Sequence, residues 1–314
     1  MDHATEPRPV VIDTDTASDD AVALVMALRH PGISVEAVTV VAGNVPLAQG
    51  VQNACYTVEL CGASTPVYAG AAGPLLQPLV TAQQVHGQDG MGDIGLPLAG
   101  REPAAGHAVD ALLAAAQRHA GRLTLVTLGP LTNVALAVRR DARFAGRLAN
   151  CVAMVGTSDS IGNQSAVAEF NAWVDPEAVA VVLDSGMPLT VVGWDVSRRD
   201  AVITADESAD LRGLGTPLAR FVVDIQSTLV EFCARTTHLA GFDLPDPVTM
   251  AVALDPSLAV ATEHVRVDVD IASPATRGQL LLDRLGLTSR PPNASVVTAV
   301  DRARFREMLR SALR

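Results

Sequence analysis

The chain contains no lysine. All 23 basic residues are arginine, which excludes a phosphate-loop lysine, a Schiff-base lysine and a lysine-borne aldimine cofactor. Basic charge is scarce as a whole: 34 acidic residues outnumber it and leave a net charge of −11. A nucleic-acid binder wants a basic face, so that class is excluded. Aromatic residues make up only 3% of the chain, which also argues against a base-stacking platform. The four cysteines, Cys55, Cys61, Cys151 and Cys233, are scattered and form no CxxC pair. That excludes a cysteine zinc site, a redox dithiol and a disulfide scaffold. Cys55 and Cys61 fall in an apolar helical stretch and are expected in the core. Long apolar runs are missing too. Each is interrupted by Gly, Pro or charge, so no membrane span is expected. The first residues, MDHATEPRPV, show no basic segment followed by an apolar one, so no secretory leader is expected. The expectation is a cytoplasmic protein that binds neither membrane nor nucleic acid.

What is present is apolar. Of 314 residues, 49% are hydrophobic and 18% charged, enough for a sizeable core and incompatible with disorder. Pro9–Asp15 reads as a buried strand ending in carboxylates. A helix then runs to about His30, with Ser18 as N-cap. Ile33–Gly43 is a second buried strand and Pro46–Cys61 a helix. This rhythm predicts a parallel sheet covered on both faces. Between Pro66 and Pro103 no period is visible, and so long a stretch is usually functional or mobile. The rhythm resumes with helices at Ala104–His119, Leu131–Arg139, Pro176–Asp184, Pro217–Cys233 and Val248–Leu254. Strands fall at Leu123–Leu128, Cys151–Val155 and Leu189–Val192. Val265–Ile271 and Gln279–Asp283 read as antiparallel edge strands, and Asp301–Leu313 as a closing helix. No repeat or linker divides the chain. The prediction is a single Rossmann-like α/β domain spanning 1–314, with a mostly parallel mixed sheet flanked by helices.

The densest chemical signal is Asp13, Asp15, Asp19 and Asp20, four carboxylates within eight residues. They fall at the end of a buried strand, the edge where open α/β sheets bind ligands. Like charges this close need a cation or several hydrogen bonds. A hard divalent cation with oxygen ligands, Ca²⁺ or Mg²⁺, is the natural partner. A second cluster, Gly162 to Asn171, offers Asn163, Glu169 and Asn171, whose donors and acceptors suit a polyhydroxylated ligand. A third is Asp243-Leu-Pro-Asp246-Pro247, where Asp246 between two prolines is expected in a stiff, extended turn. The fourth is the Gly-rich His86-Gly-Gln-Asp-Gly-Met-Gly92.

Together with VVAGN (Val40–Asn44), TLGPLTN (Thr127–Asn133), AEFNAWVDPEA (Ala168–Ala178) and DPVTMAVALDP (Asp246–Pro256), these blocks resemble the inosine-uridine-preferring nucleoside hydrolases. The resemblance runs over essentially the whole chain, and the order and spacing of the blocks are highly specific. It implies cleavage of the N-glycosidic bond of a ribonucleoside by water, giving free base and ribose. It implies a bound Ca²⁺ held by Asp15, Asp20, Asp246 and the main-chain carbonyl of Leu128. Asp15 would also be the general base that takes a proton from the attacking water. Asp19, Asn44, Asn163, Glu169 and Asn171 would face the ribose, and Asp13 would brace the cluster. A homodimer or homotetramer is implied as well. The chemistry is coherent, because Ca²⁺ accepts six to eight oxygens in irregular geometry. An oxocarbenium-like transition state would be stabilised by the surrounding carboxylates.

Two departures from the family pattern stand out. The family usually reads Asp-Pro-Gly where this chain has Asp15-Thr16-Ala17-Ser18. The aspartate spacing is kept, so the metal site is expected to survive. More seriously, well-studied members carry a histidine immediately before the last metal-binding aspartate, where it helps to protonate the leaving base. Here that residue is Pro245. General-acid help of this kind is worth ~10²–10⁴-fold. His238, His86 and Asp243 are the candidates to supply the proton. An activated leaving group, as in a modified nucleoside or nicotinamide riboside, would need less help. A ribose- or nucleoside-binding protein is the alternative from another class, although retention of Asp15 speaks against it. Base specificity is not readable, and Trp173 and Trp194 each fit a pocket wall or the core.

Overall fold

A computed structural model describes residues 6–237 and 239–314. Its strands are β1 (Arg8–Thr14), β2 (Ile33–Val40), β3 (Val67–Ala69), β4 (Leu123–Thr127), β5 (Leu148–Met154), β6 (Leu189–Val192), β7 (Val202–Thr204), β8 (Gly241–Asp243), β9 (Ala259–Val269), β10 (Leu280–Asp283) and β11 (Ala294–Val300). Nine of them form one sheet in the order β10-β9-β11-β6-β5-β4-β1-β2-β3. From β11 to β3 every pairing is parallel, while β9 runs antiparallel to both β11 and β10. This is the mostly parallel mixed sheet that the sequence predicts, with its antiparallel edge at the C-terminal end. β7 and β8 pair separately as a two-stranded antiparallel ribbon.

Side chains of β1 alternate between the two faces, as strand geometry requires. Val10 and Ile12 join one core, and Val11 joins the other. The first core is covered by the helices Ser18–Leu28, Pro245–Leu254 and Arg302–Ala312, the second by Ala108–Arg118, Thr132–Arg140 and Pro176–Leu183. Burial on both faces explains why the strands read as continuous apolar runs. Strand order reverses direction at β1. The chain moves outward through β2 and β3 on one side and through β4, β5 and β6 on the other. The crevice between the carboxyl ends of β1 and β4 is therefore the topological switch point, where such sheets take their ligands.

Several sequence-based expectations need correction. The first helix is capped by Ala17, not Ser18, because the Asp20 carboxylate reaches back to the Ala17 N–H at 2.9 Å and closes the turn there. The expected long helix Pro217–Cys233 is broken into Pro217–Asp224 and Ser227–Phe232, followed by a π-helical turn Cys233–Thr237. At the break, the buried Gln226 amide donates to the Ser18 carbonyl at 3.0 Å, a tertiary tie invisible to periodicity. Asp246 is not in an extended turn. The helix begins at Pro245, so Asp246 lies in its first turn. Proline is tolerated there because first-turn N–H groups have no helical partner. Cys55 and Cys61 are half-buried, not core. The aperiodic stretch holds only β3 and the short helix Gln83–His86. β11, which joins the antiparallel edge to β6, was not foreseen.

Candidate active site

The four N-terminal carboxylates cluster where β1 ends and the helix Ser18–Leu28 begins, and all are buried. Asp13 faces inward and braces the neighbouring elements. Its Oδ2 accepts from Thr39 Oγ1 at 2.6 Å and from Asn133 Nδ2 at 2.9 Å. Asp20 accepts from Thr14 Oγ1 at 2.5 Å as well as from the Ala17 N–H. Asp246 arrives from the opposite end of the chain on the helix Pro245–Leu254, which packs against the helix Ser18–Leu28. Ligand oxygens of Asp19, Asp20 and Asp246 lie within 4.8 Å of one another.

Asp15 sits in a slot with glycine on two sides. Its Oδ2 accepts from the Asn44 N–H at 2.6 Å. A methyl on Gly43 would fall 2.1 Å from Oδ2, and one on Gly129 would fall 2.8 Å from Oδ1. Gly43 follows β2 and Gly129 follows β4, so the two strands flanking β1 jointly fix this carboxylate. These glycines were not singled out as site residues, since the contact is formed only by the fold.

The electrostatics of the cluster are those of an anionic nest without a counter-charge. Burial raises Asp13 and Asp19 to about 7 and Asp20 to about 6. Asp15 and Asp246 are pushed well above the usual carboxylate range, first by burial and then by the neighbouring aspartates. Buried Asp15 Oδ1 and Asp19 Oδ1 have no hydrogen-bond partner, and no arginine lines the pocket among the described residues. Unpartnered oxygens on Asp15 and Asp19, with Asp20 and Asp246 close to Asp19, fit a hard divalent cation. The Leu128 carbonyl, just past β4, lines the same pocket and accepts from Asn171 Nδ2 at 2.7 Å. A carbonyl has two lone pairs, so one remains.

Of the cluster, Asp19 and Asp246 line a pocket, and Asp13, Asp15 and Asp20 lie outside its lining. Asp19, Asn44, Asn163, Glu169, Asn171 and Asp246 all line it, so the structure brings these predicted residues together. Several are also tied to the backbone. Glu169 caps the helix Phe170–Val174, accepting from the N–H groups of Gly156 at 2.6 Å, Asn171 at 2.7 Å and Ala172 at 3.2 Å. Asn163 Oδ1 accepts from the Phe170 N–H at 2.8 Å, which leaves its amide N–H groups for a ligand. Asn171 has the opposite assignment. Its amide donates to the Leu128 and Met154 carbonyls, leaving its oxygen free. Trp194, Leu229, Phe232 and Cys233 line the same pocket. Trp194 is thus a wall residue, whereas Trp173 packs against Ala82, Phe170 and Val174.

Of the three residues considered for the leaving-group proton, His86 lines the pocket with its Nδ1 2.9 Å from Ser18 Oγ and 3.7 Å from Asp19 Oδ1. Burial lowers its pKa to about 4, so it is neutral near pH 7. His238 lies outside the described residues. Asp243, the last residue of β8, also lines the pocket.

Comparison with known proteins identifies the family. The family model described as inosine-uridine preferring nucleoside hydrolase matches residues 10–307. The pyrimidine-specific ribonucleoside hydrolase RihA of Shewanella sp. (strain ANA-3) is 35% identical over 308 residues, covering 98% of this chain and 96% of its own length. RihA of Salmonella typhimurium is 34% identical, covering 97% and 98%. Among solved structures, a plant nucleoside hydrolase superposes with a TM-score of 0.89 at 31% identity, covering 98% of this chain and 99% of its own. A purine-preferring ribonucleoside hydrolase from Gardnerella vaginalis gives 0.90 at 29% identity, covering 98% of each. On these grounds the chain belongs to the inosine-uridine-preferring nucleoside hydrolase family.

Proposed function

We propose that this protein hydrolyses the N-glycosidic bond of ribonucleosides to free base and ribose, with Ca²⁺ as its metal. The observation that carries this reading is the pocket lining. Asp19, buried with an unpartnered Oδ1, and Asp246 line the pocket with Asn44, Asn163, Asn171 and Glu169, and no arginine lines it among the described residues. Asp15, Asp20, Asp246 and the Leu128 carbonyl would hold the cation. Bound there, Ca²⁺ would supply the positive charge that lowers the pKa of an adjacent water.

The chain's own residues do the remainder. Asp15 is the base that takes the water's proton. Its fixed position between Gly43 and Gly129 removes the freedom that would otherwise be lost on reaching the transition state. Asp19, Asn44, Asn163, Glu169 and Asn171 bind the ribose hydroxyls. The carboxylates then oppose the positive charge that grows on the sugar as the bond to the base breaks. The apolar wall of Trp194, Leu229 and Phe232 receives the base. Relatives of comparable identity are named for opposite base preferences, so that wall decides the base class.

The test is a ribonucleoside panel followed by chromatography of base and sugar. The expected result is free base and free ribose in equal amounts, without added phosphate. Release of ribose phosphate, or stoichiometric binding with no consumption of any N-riboside, would overturn the reading.

A further inference from the structure

Pro245 leaves the reaction without the family's usual proton donor, and the pocket contains a group placed to take its part. Asp243 ends β8, is held in register opposite Val202 of β7, and is buried. It lines the pocket and interacts with Trp194 and Cys233, both of which line it too. It is not one of the residues proposed above to hold the cation, although its charge acts on neighbouring Asp19.

The Ser197 hydroxyl links Asp243 to the Trp194 carbonyl and can serve either protonation state of the carboxyl. Ser197 Oγ lies 2.7 Å from Asp243 Oδ2 and 3.0 Å from the Trp194 carbonyl. A serine hydroxyl has one hydrogen and two lone pairs. Were Asp243 ionised, two acceptors would compete for that single hydrogen. With a proton on Asp243, the carboxyl donates to Ser197 and Ser197 donates to the Trp194 carbonyl, so both contacts are satisfied. Burial raises Asp243 above the usual carboxylate range, against the hydrogen bonds of the Ser197 and Trp194 side chains and the charge of Arg198, which favour the carboxylate. His86, the other described candidate, is already engaged with Ser18 and neutral.

We propose that Asp243 is the catalytic acid that protonates the departing base, with Ser197 as its positioning residue. This rests on the ribonucleoside hydrolase reading above. As the bond from the anomeric carbon to the base nitrogen breaks, its electron pair goes to the base, and the Asp243 proton moves to a nitrogen or oxygen of that base. The Ser197 hydroxyl turns to donate to the carboxylate so formed. Solvent returns the proton after the base leaves.

The experiment compares a natural ribonucleoside with p-nitrophenyl riboside, whose leaving group needs no proton. Asp243→Asn should lower kcat/KM for the nucleoside by about 10²–10⁴-fold, while leaving the synthetic riboside within about twofold. Ser197→Ala, which keeps the acid, should lower the nucleoside rate by about tenfold and again spare the synthetic substrate. An undiminished nucleoside rate in Asp243→Asn overturns the proposal. So does an equal loss on both substrates in soluble Asp243→Asn and Ser197→Ala proteins. A wild-type protein that cleaves neither substrate overturns the hydrolase reading itself, and the proposal with it.

Discussion

The tightest constraint in the site is the pair of glycines around Asp15, and it can be tested without touching a functional group. In Gly43→Ala the new methyl would start 2.1 Å from Asp15 Oδ2, 2.8 Å from Pro130 Cδ and 2.9 Å from Asp15 Cγ. Ordinary contact between such atoms is ~3.5 Å, so a gap of roughly 1.4 Å must open. Pro130 is rigid and the Asp15 backbone directly follows the buried strand β1, so the carboxylate itself must rotate away. It then loses the 2.6 Å bond from the Asn44 N–H. A misplacement of about 1 Å at a reacting group costs ~10²-fold, or about 2.7 kcal/mol in the barrier. Gly43→Ala should therefore lower kcat by about 10²-fold or more for nucleosides and p-nitrophenyl riboside alike, because both need the attacking water. Gly73→Ala is the control, since nothing lies within 4 Å of a methyl there. Ribose release would be measured by a reducing-sugar assay, with a thermal melt on each variant. Wild-type kcat in a folded Gly43→Ala protein would refute the steric argument.

Other consequences follow from single side chains. Asp15→Asn keeps the shape but removes the base, so kcat should fall about 10²–10⁴-fold on both substrate types in steady-state assays; a loss confined to one type contradicts its role. Asp175 ties three segments together, accepting from the Leu75 N–H at 2.9 Å, Thr132 Oγ1 at 2.6 Å and the Ala178 N–H at 3.1 Å. Asp175→Ala should cost about 3 kcal/mol in urea unfolding, and a cost below about 1 kcal/mol would contradict it. Burial pushes Glu169 from an ordinary 4.5 up to about 7. The folded chain then binds an extra proton between those values, so stability falls as pH rises through that window. In chelated protein, Glu169→Gln should make the fall in melting temperature between about pH 5 and 7 shallower by one group's share, with the buried aspartates keeping the remainder, and an unchanged slope would argue against the shift.

How much of this was legible in the sequence depends on where the partners of each residue come from. The aspartates at the end of β1 were visible because they are contiguous and follow a buried apolar run. The sheet was visible because its strands are buried on both faces. Asp246 was found, but its backbone was misjudged: two flanking prolines suggest an extended turn, and the first turn of a helix accommodates both. The helix break at Gln226 was missed because apolar spacing continues across it, and only the amide's tie to Ser18 reveals it. The glycine slot was missed for a similar reason. Gly43 and Gly129 look like ordinary loop residues until parallel pairing brings β2 and β4 to either side of Asp15. Asn171 was assigned to the sugar by position, and nothing local indicates that its amide is committed to the Leu128 and Met154 carbonyls.

The account centres on the buried carboxylate cluster holding one cation that the reaction requires. Calorimetric titration of chelated protein with Ca²⁺, paired with nucleoside cleavage at each point, tests this directly. The prediction is one site per chain, activity rising in proportion to its occupancy, and loss of both in Asp20→Asn. Full cleavage by protein shown by elemental analysis to be free of divalent cations would contradict it.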